Sequence, residues 1–128
     1  MKVLLDTHAF LWWNTDDHKL SYVARNVIAD DRNELYLSVA SAWEIAIKAA
    51  RGSLVLPDPP EQYVPSRLRL HRIQALAIQL RHALRVYELP MIHRDPFDRL
   101  LIAQSQLETL PILTADPEIA RYNVDIIW

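Results

Sequence analysis

The sequence contains no cysteine, and this absence excludes disulfide bonds, thiolate zinc sites and cysteine nucleophiles. Any chemistry must therefore come from carboxylate, imidazole or hydroxyl groups. Long apolar runs are also missing, since no stretch approaches the ~20 residues that a membrane-spanning helix needs. The apolar start of the chain is interrupted by Asp6, too early for the apolar core of a signal peptide. We therefore expect a soluble protein without a membrane partner, and the lack of cysteine suits a reducing cytoplasm.

Acidic residues are absent from positions 62–87, although the net charge of the whole chain is −2. The same segment is basic, and its charged and titratable residues are Arg67, Arg69, Arg72, Arg81 and Arg85 together with His71 and His82. Arginine side chains can hold the phosphates of a polyanionic partner, so we expect this segment to face an acidic pocket. A solvated helix face explains each single arginine equally well.

Strand-like and helix-like segments alternate along the chain. A length of 128 residues and a hydrophobic content of 51% are those of one globular domain, so we expect residues 1–128 to form a single domain. Short apolar runs predict strands at 2–5, 35–38, 74–78, 111–114 and 124–127. Helical spacing and capping residues predict helices at 8–13, 20–28, 39–50, 61–71, from 79 to about 87, 96–107 and 117–122. Asp95 is the predicted N-cap of the helix at 96–107, with Pro96 at its first position.

This alternation predicts parallel strands that are joined by crossover helices. The fold class should therefore be α/β, with a three-layer α/β/α sandwich around a central, mostly parallel sheet. In such sheets, ligands bind beyond the carboxyl ends of the strands. Asp6 follows the first predicted strand and Asp116 follows the fourth, so we expect both carboxylates at that edge.

Four acidic residues that are far apart in sequence lie where this topology can bring them together. Asp6 and Asp116 follow strands, Asp98 lies in the first turn of a predicted helix, and Glu44 is the only charged residue between Glu34 and Lys48. Gathered carboxylates repel one another unless a cation lies among them, so the pattern predicts a site for a hard divalent metal. The chemistry that such a site favours is metal-assisted hydrolysis of a phosphodiester.

Each acid also has a structural explanation. Asp6 and Asp116 can be helix N-caps, and Asp98 occupies a position where a carboxylate meets free backbone N–H groups. Glu44 can pair with Lys48 one helical turn later. The alternation of small and apolar residues around Glu44 favours a functional role, because the helix face that carries it could approach a crowded polar site.

With these residues in view, the chain resembles the PIN domain family and, within it, the VapC toxins of bacterial toxin-antitoxin pairs. The resemblance covers essentially the whole chain and depends on four motifs in the order of the family. They are LLDTHAFLWW around Asp6, SVASAWEIAIKAARG around Glu44, ELPMIHRDPFDRLLIAQS around Asp98 and ILTADPEIARY around Asp116. The quartet Asp6, Glu44, Asp98 and Asp116 matches the acidic residues of the family, with Asp95 as a rival to Asp98.

The resemblance implies a compact α/β/α fold and a Mg²⁺- or Mn²⁺-dependent ribonuclease that cuts single-stranded or loop RNA. It implies that Asp6 and Asp98 hold the metal directly, while Glu44 and Asp116 complete its shell. Thr7, Ser41 and Thr114, which lie beside the matched acids, would orient carboxylates or water. The resemblance also implies a homodimer and a cognate antitoxin protein that places a basic side chain in the acidic pocket.

Two alternatives remain open from the sequence. A catalytically inactive PIN-like module would use the same fold only to bind a protein, with its acids serving as caps. A phospho-acceptor receiver domain also gathers aspartates around Mg²⁺, but Asp6 is followed by Thr7 rather than a second acid. No lysine occurs after Lys48, where a receiver domain places one late in the chain.

Overall fold

A computed structural model describes residues 1–128. Its sheet has five strands, at Lys2–Leu5 (β1), Glu34–Ser38 (β2), Ile73–Leu76 (β3), Ile112–Leu113 (β4) and Ile126–Ile127 (β5). The α-helices span Thr7–Asn14 (α1), Tyr22–Ala29 (α2), Val39–Ala50 (α3), Pro60–His71 (α4), Leu80–Arg85 (α5) and Pro96–Glu108 (α6). Short 3₁₀ helices follow at Val86–Glu88 and Ile119–Arg121.

The strand order is β3-β2-β1-β4-β5, and every neighbouring pair is parallel. The chain adds β2 and β3 on one side of the central strand β1 and then crosses over to add β4 and β5 on the other side. The topological switch point of the sheet therefore lies between β1 and β4. Crevices for ligands open at such a switch point, beyond the carboxyl ends of the strands. The predicted α/β fold with its parallel sheet is confirmed.

Alternating side chains of β1 supply two hydrophobic cores, one on each face of the sheet. Val3 and Leu5 join a cluster that buries the apolar sides of α1, α2, α3 and α4. Leu4 points to the opposite face, where it packs in a cluster with Leu101 and Ile102 of α6. A strand that is buried on both faces reads as a continuous apolar run, as this one does. Helices on both sides of the sheet make the three layers that the sequence predicts.

Helix boundaries follow from local capping chemistry. Ser38 caps α3, with its hydroxyl accepting the Ala40 N–H at 3.0 Å. The helix ends before Gly52, whose φ of +77° is an angle that glycine adopts without strain. Pro65 lies inside α4 without ending it and is exposed to solvent. The longest helix, α6, has 13 residues, and none of the helices has both the length and the apolar character for a membrane span.

Candidate metal and active site

Asp6 lies directly after β1 and is 5% exposed. Its Oδ1 accepts the Ala9 N–H at 2.6 Å, which caps α1, and its Oδ2 accepts the hydroxyl of Thr114. Burial raises the pKa of Asp6 above its ordinary value, and the hydrogen bonds from Thr114 and Ala9 only partly offset this effect. Asp6 therefore has two roles: it is the N-cap of α1, as the structural explanation predicts, and it is a buried carboxyl group at the switch point of the sheet.

Asp116 is joined to Asp6 through Thr114, which follows β4 at the same edge of the sheet. The Thr114 Oγ1 accepts the Asp116 N–H at 3.0 Å while its hydroxyl donates to Asp6. Asp116 uses Oδ1 to accept the Glu118 N–H at 2.8 Å. Its Oδ2 lies 3.0 Å from Nε2 of His93. One buried hydroxyl thus fixes the relative positions of two of the predicted acids.

Asp95 and Asp98, the two rivals for the third position, have different surroundings. Asp95 is the N-cap of α6, where its Oδ1 accepts the N–H groups of Phe97 at 2.9 Å and Asp98 at 3.3 Å. Asp98 lies in the first turn of α6, and its Oδ2 is 2.9 Å from Nε2 of His93. Burial and the neighbouring charge of Asp95 raise the pKa of Asp98 to about 7, and His93 offsets this only in part.

Glu44 is 4% exposed on α3 and is held by two groups. The Thr7 hydroxyl donates to its Oε1 at 2.7 Å and lies 2.9 Å from the Ser41 hydroxyl. Lys48 Nζ lies 2.7 Å from its Oε2, so the predicted ion pair between Glu44 and Lys48 is present. The same carboxylate still acts on the centre of the site, because the Glu44 charge contributes to the raised pKa of Asp98.

The four predicted acids therefore lie with His93 at the carboxyl edge of the sheet, and we call this group the acidic pocket (Asp6, Glu44, His93, Asp98 and Asp116). The charge of Asp116 raises the pKa of Asp6 and also that of Asp98, as expected for carboxylates within mutual reach. The contacts differ from one acid to the next. Asp98 and Asp116 share a partner in His93, Asp6 is connected to Asp116 through Thr114, and Glu44 is bonded to Thr7 and Lys48.

His93 is a residue of the acidic pocket that the sequence reasoning missed. Burial works to lower the pKa of its imidazole, but the hydrogen bond to Asp116 and the charges of the surrounding carboxylates outweigh burial and raise it. A signal was available, because His93 lies in the same matched motif as Asp98 and two residues before the N-cap of α6. His8, by contrast, is exposed and its ring stacks on Trp12 with the centroids 5.5 Å apart.

The loop that carries His93 is held by a buried cation, Arg99 of α6, which is 7% exposed. Its guanidinium group donates to the carbonyls of Val86 at 3.1 Å, Leu89 at 3.3 Å, Pro90 at 2.9 Å and His93 at 3.4 Å, and to the Tyr122 hydroxyl at 3.2 Å. A guanidinium group satisfies several carbonyls at once because it presents five donors in a fixed plane. Arg99 therefore fixes residues 86–93 against α6.

The arginines of the basic segment form no hydrogen bond or ion pair with the carboxylates of the acidic pocket. Arg72 directly precedes β3 and so lies at the amino edge of the sheet, opposite the pocket. Arg81 pairs with Glu108, and Arg85 lies 3.3 Å from Glu88. The arginine that adjoins the pocket in sequence is Arg94, which is exposed and directly follows His93.

The residues of the acidic pocket fit a divalent metal ion. His93, Asp98 and Asp116 each offer a ligand atom, and these atoms all lie within 4.8 Å of one another. Oxygen donors, with or without one imidazole, suit Mg²⁺ and Mn²⁺. The raised pKa values of Asp6 and Asp98 mark carboxylates that lack enough positive charge around them, and a cation would supply it.

These pKa shifts predict that the metal-free protein becomes less stable as the pH rises. Asp98, with its pKa raised to about 7, binds more protons in the folded than in the unfolded state between about pH 4 and pH 7, so its ionisation opposes folding. The raised pKa of His93 acts with the same sign above about pH 6.5. We expect a loss on the order of 2 kcal/mol from pH 5 to pH 8.

Urea denaturation in EDTA across this range measures the effect, and added Mn²⁺ should diminish the slope because the metal competes with protons for the same oxygens. Metal-free stability that rises from pH 5 to pH 8 would contradict the crowding of carboxylates in the pocket.

Comparison with known proteins agrees with this architecture. A family model described as the PIN domain matches residues 3–125, which is nearly the whole chain. Among curated proteins, Ribonuclease VapC16 of Mycobacterium tuberculosis is 43% identical over 58 residues. This match covers 45% of the present chain and 41% of that protein, so it spans about two fifths of the length of the relative.

Solved structures match the fold over almost its full length. VapBC2 from Rickettsia felis bound to a DNA fragment from its promoter superposes with a TM-score of 0.71 at 15% identity, covering 98% of this chain and 97% of that one. VapBC-1 from nontypeable Haemophilus influenzae gives a TM-score of 0.65 at 17% identity, covering 98% and 96%. A toxin-antitoxin complex from Klebsiella pneumoniae gives 0.63 at 16% identity, with the same coverage.

Proposed function

Because the chain belongs to the PIN domain family, we propose that it is a metal-dependent endoribonuclease that hydrolyses phosphodiester bonds in single-stranded or loop RNA. The observation that carries this proposal is the acidic pocket, in which four acids from separate segments adjoin one another at the switch point of the sheet. A module that only binds protein has no need to place a buried Asp6 and a half-buried Asp98 in one pocket, since unneutralised carboxylates that are removed from water cost stability.

In this proposal Asp6 and Asp98 hold Mg²⁺ or Mn²⁺, and Glu44 and Asp116 complete the shell. When bound, the cation supplies positive charge for the phosphate oxygens and makes water acidic enough to attack near neutral pH. Thr114 and Thr7 keep the carboxylates of Asp6 and Glu44 turned into the pocket through their hydrogen bonds.

Hydrolysis in this site forms a bond from water oxygen to phosphorus and breaks the bond from phosphorus to the 3′ oxygen, which takes up a proton. The products should be 5′-phosphate and 3′-hydroxyl ends. Arg94, exposed beside the pocket, supplies positive charge where the RNA backbone would approach. The 2′-hydroxyl of the substrate takes no part in this reaction.

The test is cleavage of end-labelled RNA by wild type, Asp6→Asn and Asp31→Asn, in Mn²⁺ and in EDTA. Asp31 is a charge-matched control because it is exposed and lies in the turn before β2, at the amino edge of the sheet. We expect Asp6→Asn to lose about 100-fold or more in rate, since a metal site contributes several kcal/mol to the transition state. Asp31→Asn should cleave like wild type, and EDTA should stop both.

The ends of the products give an independent readout. Cleavage that continues in EDTA, or that leaves 2′,3′-cyclic phosphate ends, would exclude the proposed chemistry, because such ends require attack by the 2′-hydroxyl. Equal rates for Asp6→Asn and wild type would remove Asp6 from the site.

We further propose that the protein is the toxin of a toxin-antitoxin pair and that a cognate antitoxin protein covers the acidic pocket. A cavity of about 340 Å³ supports this, because it begins at Thr7 beside Glu44 and is lined by apolar side chains that include Trp12 and Leu54. A segment bound in this cavity could extend a basic side chain to the carboxylates, where the charges are complementary. In the inactive complex, the positive charge of that side chain would then offset the charges of the carboxylates.

A homodimer is the oligomeric state that we propose. Its support is an apolar groove lined by Trp43 of α3, Ala83 of α5 and Leu100 of α6, in which Trp43 is 60% exposed. Trp43 also packs edge-on against Phe97 with the ring centroids 5.3 Å apart. Exposed apolar patches of this kind commonly mark protein interfaces.

A further inference from the structure

Beyond the four acids, we infer that His93 is a direct ligand of the divalent cation, so that the metal centre has mixed nitrogen and oxygen donors. This inference depends on the proposed function, because the cation is the one held by the nuclease site. Its starting point is the position of the imidazole: Nε2 lies 2.9 Å from Asp98 Oδ2 and 3.0 Å from Asp116 Oδ2.

The spacing of these three atoms suits a common metal ion. In an octahedral complex with bonds of about 2.1 Å, neighbouring ligand atoms are separated by about 3.0 Å, which is the bond length multiplied by the square root of two. The two distances from Nε2 to the carboxylate oxygens have this value, and all three atoms lie within 4.8 Å of one another. A cation can therefore bind all three without a large movement of any side chain.

The backbone of His93 is held in place for this role. Its N–H donates to the Tyr122 hydroxyl at 2.7 Å, and that hydroxyl donates to the Pro90 carbonyl at 2.9 Å. Arg99 contacts the same hydroxyl and the His93 carbonyl. A ligand fixed by surrounding hydrogen bonds loses little entropy when it binds a metal, which is the usual benefit of such supporting contacts.

Coordination requires one proton to move. In the metal-free site Nδ1 accepts the Asp95 N–H at 3.3 Å, so Nε2 carries the proton that faces the carboxylates. To hold a cation through the lone pair of Nε2, the ring would carry its proton on Nδ1 instead. This change would break the hydrogen bond from the Asp95 N–H to Nδ1, which at 3.3 Å is the longest that the ring makes. The cation would take the place of the Nε2 proton between the carboxylates of Asp98 and Asp116.

A nitrogen ligand changes which metals the site prefers. Imidazole binds transition metals more strongly than it binds Mg²⁺, because Mg²⁺ favours oxygen donors. We therefore expect His93→Gln to weaken Mn²⁺ binding by about tenfold or more, and to affect Mg²⁺ binding less.

The experiment is pulsed electron paramagnetic resonance on the Mn²⁺-loaded protein without RNA. A directly bound imidazole gives a strong ¹⁴N coupling to the Mn²⁺ electron spin. The coupling should be present in wild type, absent in His93→Gln and unchanged in His8→Gln. His8 is the matched control because it lies two residues after Asp6 but is exposed to solvent.

A second sample keeps the test independent of how the variants fold. Wild-type protein labelled with ¹⁵N only in histidine should show a ¹⁵N coupling in place of the ¹⁴N coupling. Bound Mn²⁺ without any histidine coupling in wild type would overturn the role of His93 and leave the nuclease proposal intact. A coupling that disappears in His8→Gln instead would overturn it equally. Wild type that binds no Mn²⁺ would overturn the proposed function itself.

Discussion

The Asp98→Asn variant should lose RNA cleavage by about 1,000-fold while its metal-free form becomes more stable than wild type at pH 8. The loss of rate follows because the carboxylate is a proposed metal ligand, and several kcal/mol of transition-state stabilisation depend on the metal. The gain in stability follows because Asp98 is half-buried beside Asp95, with a pKa raised to about 7. Above that pH the folded protein must hold an unfavourable charge that an amide does not carry.

Both effects can be measured on the same preparations. Urea denaturation in EDTA at pH 8 should give Asp98→Asn an advantage on the order of 2 kcal/mol over wild type, and the advantage should disappear at pH 5. Glu61→Gln, an exposed change of the same kind on α4, should alter neither stability nor cleavage. If Asp98→Asn lost both activity and stability at pH 8, Asp98 would have a structural rather than a metal-binding role.

Replacing Arg99 with methionine should give the largest loss of stability, about 3 kcal/mol or more. Methionine retains an apolar stem of similar length. The carbonyls of Val86 and Pro90 keep other donors, since they also accept the Leu89 N–H and the Tyr122 hydroxyl, but those of Leu89 and His93 lose the donor that Arg99 supplies. Each such group costs about 1–3 kcal/mol when it remains unsatisfied in the folded state. Arg99→Lys should recover only part of the loss, because an ammonium group cannot span carbonyls from several directions.

The measurement for Arg99 is the free energy of unfolding in urea, with Arg51→Met as control. Arg51 is exposed at the end of α3, and its replacement should change the free energy by less than about 0.5 kcal/mol. Cleavage by Arg99→Met should also fall at temperatures where the fold persists, because the loop that carries His93 is then released. An Arg99→Met variant as stable as Arg51→Met would show that the hydrogen bonds of Arg99 make no net contribution to the free energy of unfolding.

Features that depend on local chemistry could be predicted from the sequence. Each of the five strands overlaps a predicted run, although β3 spans Ile73–Leu76 rather than the predicted 74–78. Helix α3 has the predicted bounds because Ser38 and Gly52 mark its ends. The N-cap at Asp95 and proline at the first position of α6 are likewise local signals. The helix predicted at 117–122 is shorter than expected, since only Ile119–Arg121 is helical and forms a single 3₁₀ turn. The Asp116-Pro117 pair can begin either an α-helix or a short turn, so it did not distinguish the two.

Features that depend on contacts between distant residues could not be predicted. His93 enters the acidic pocket because Arg99 and Tyr122 hold its loop, and no periodicity in the sequence records those contacts. The arginines at 67–85 looked like one basic surface, but they lie on elements that pack on opposite faces of the sheet. Helix α4 contributes to the core cluster of one face, whereas α5 packs against α6, which belongs to the cluster of the other face. For Glu44, the structure contains both the predicted pairing with Lys48 and the approach to the polar site, so the two interpretations were compatible.

The most direct test of this account is a crystal of the protein soaked in Mn²⁺ and measured at a wavelength where manganese scatters anomalously. We expect a peak in the anomalous difference map within coordination distance of Asp98, with Asp6 or Asp116 among its other neighbours. A map without a peak in the acidic pocket at saturating Mn²⁺, with the four carboxylates still bonded only to protein groups, would contradict it.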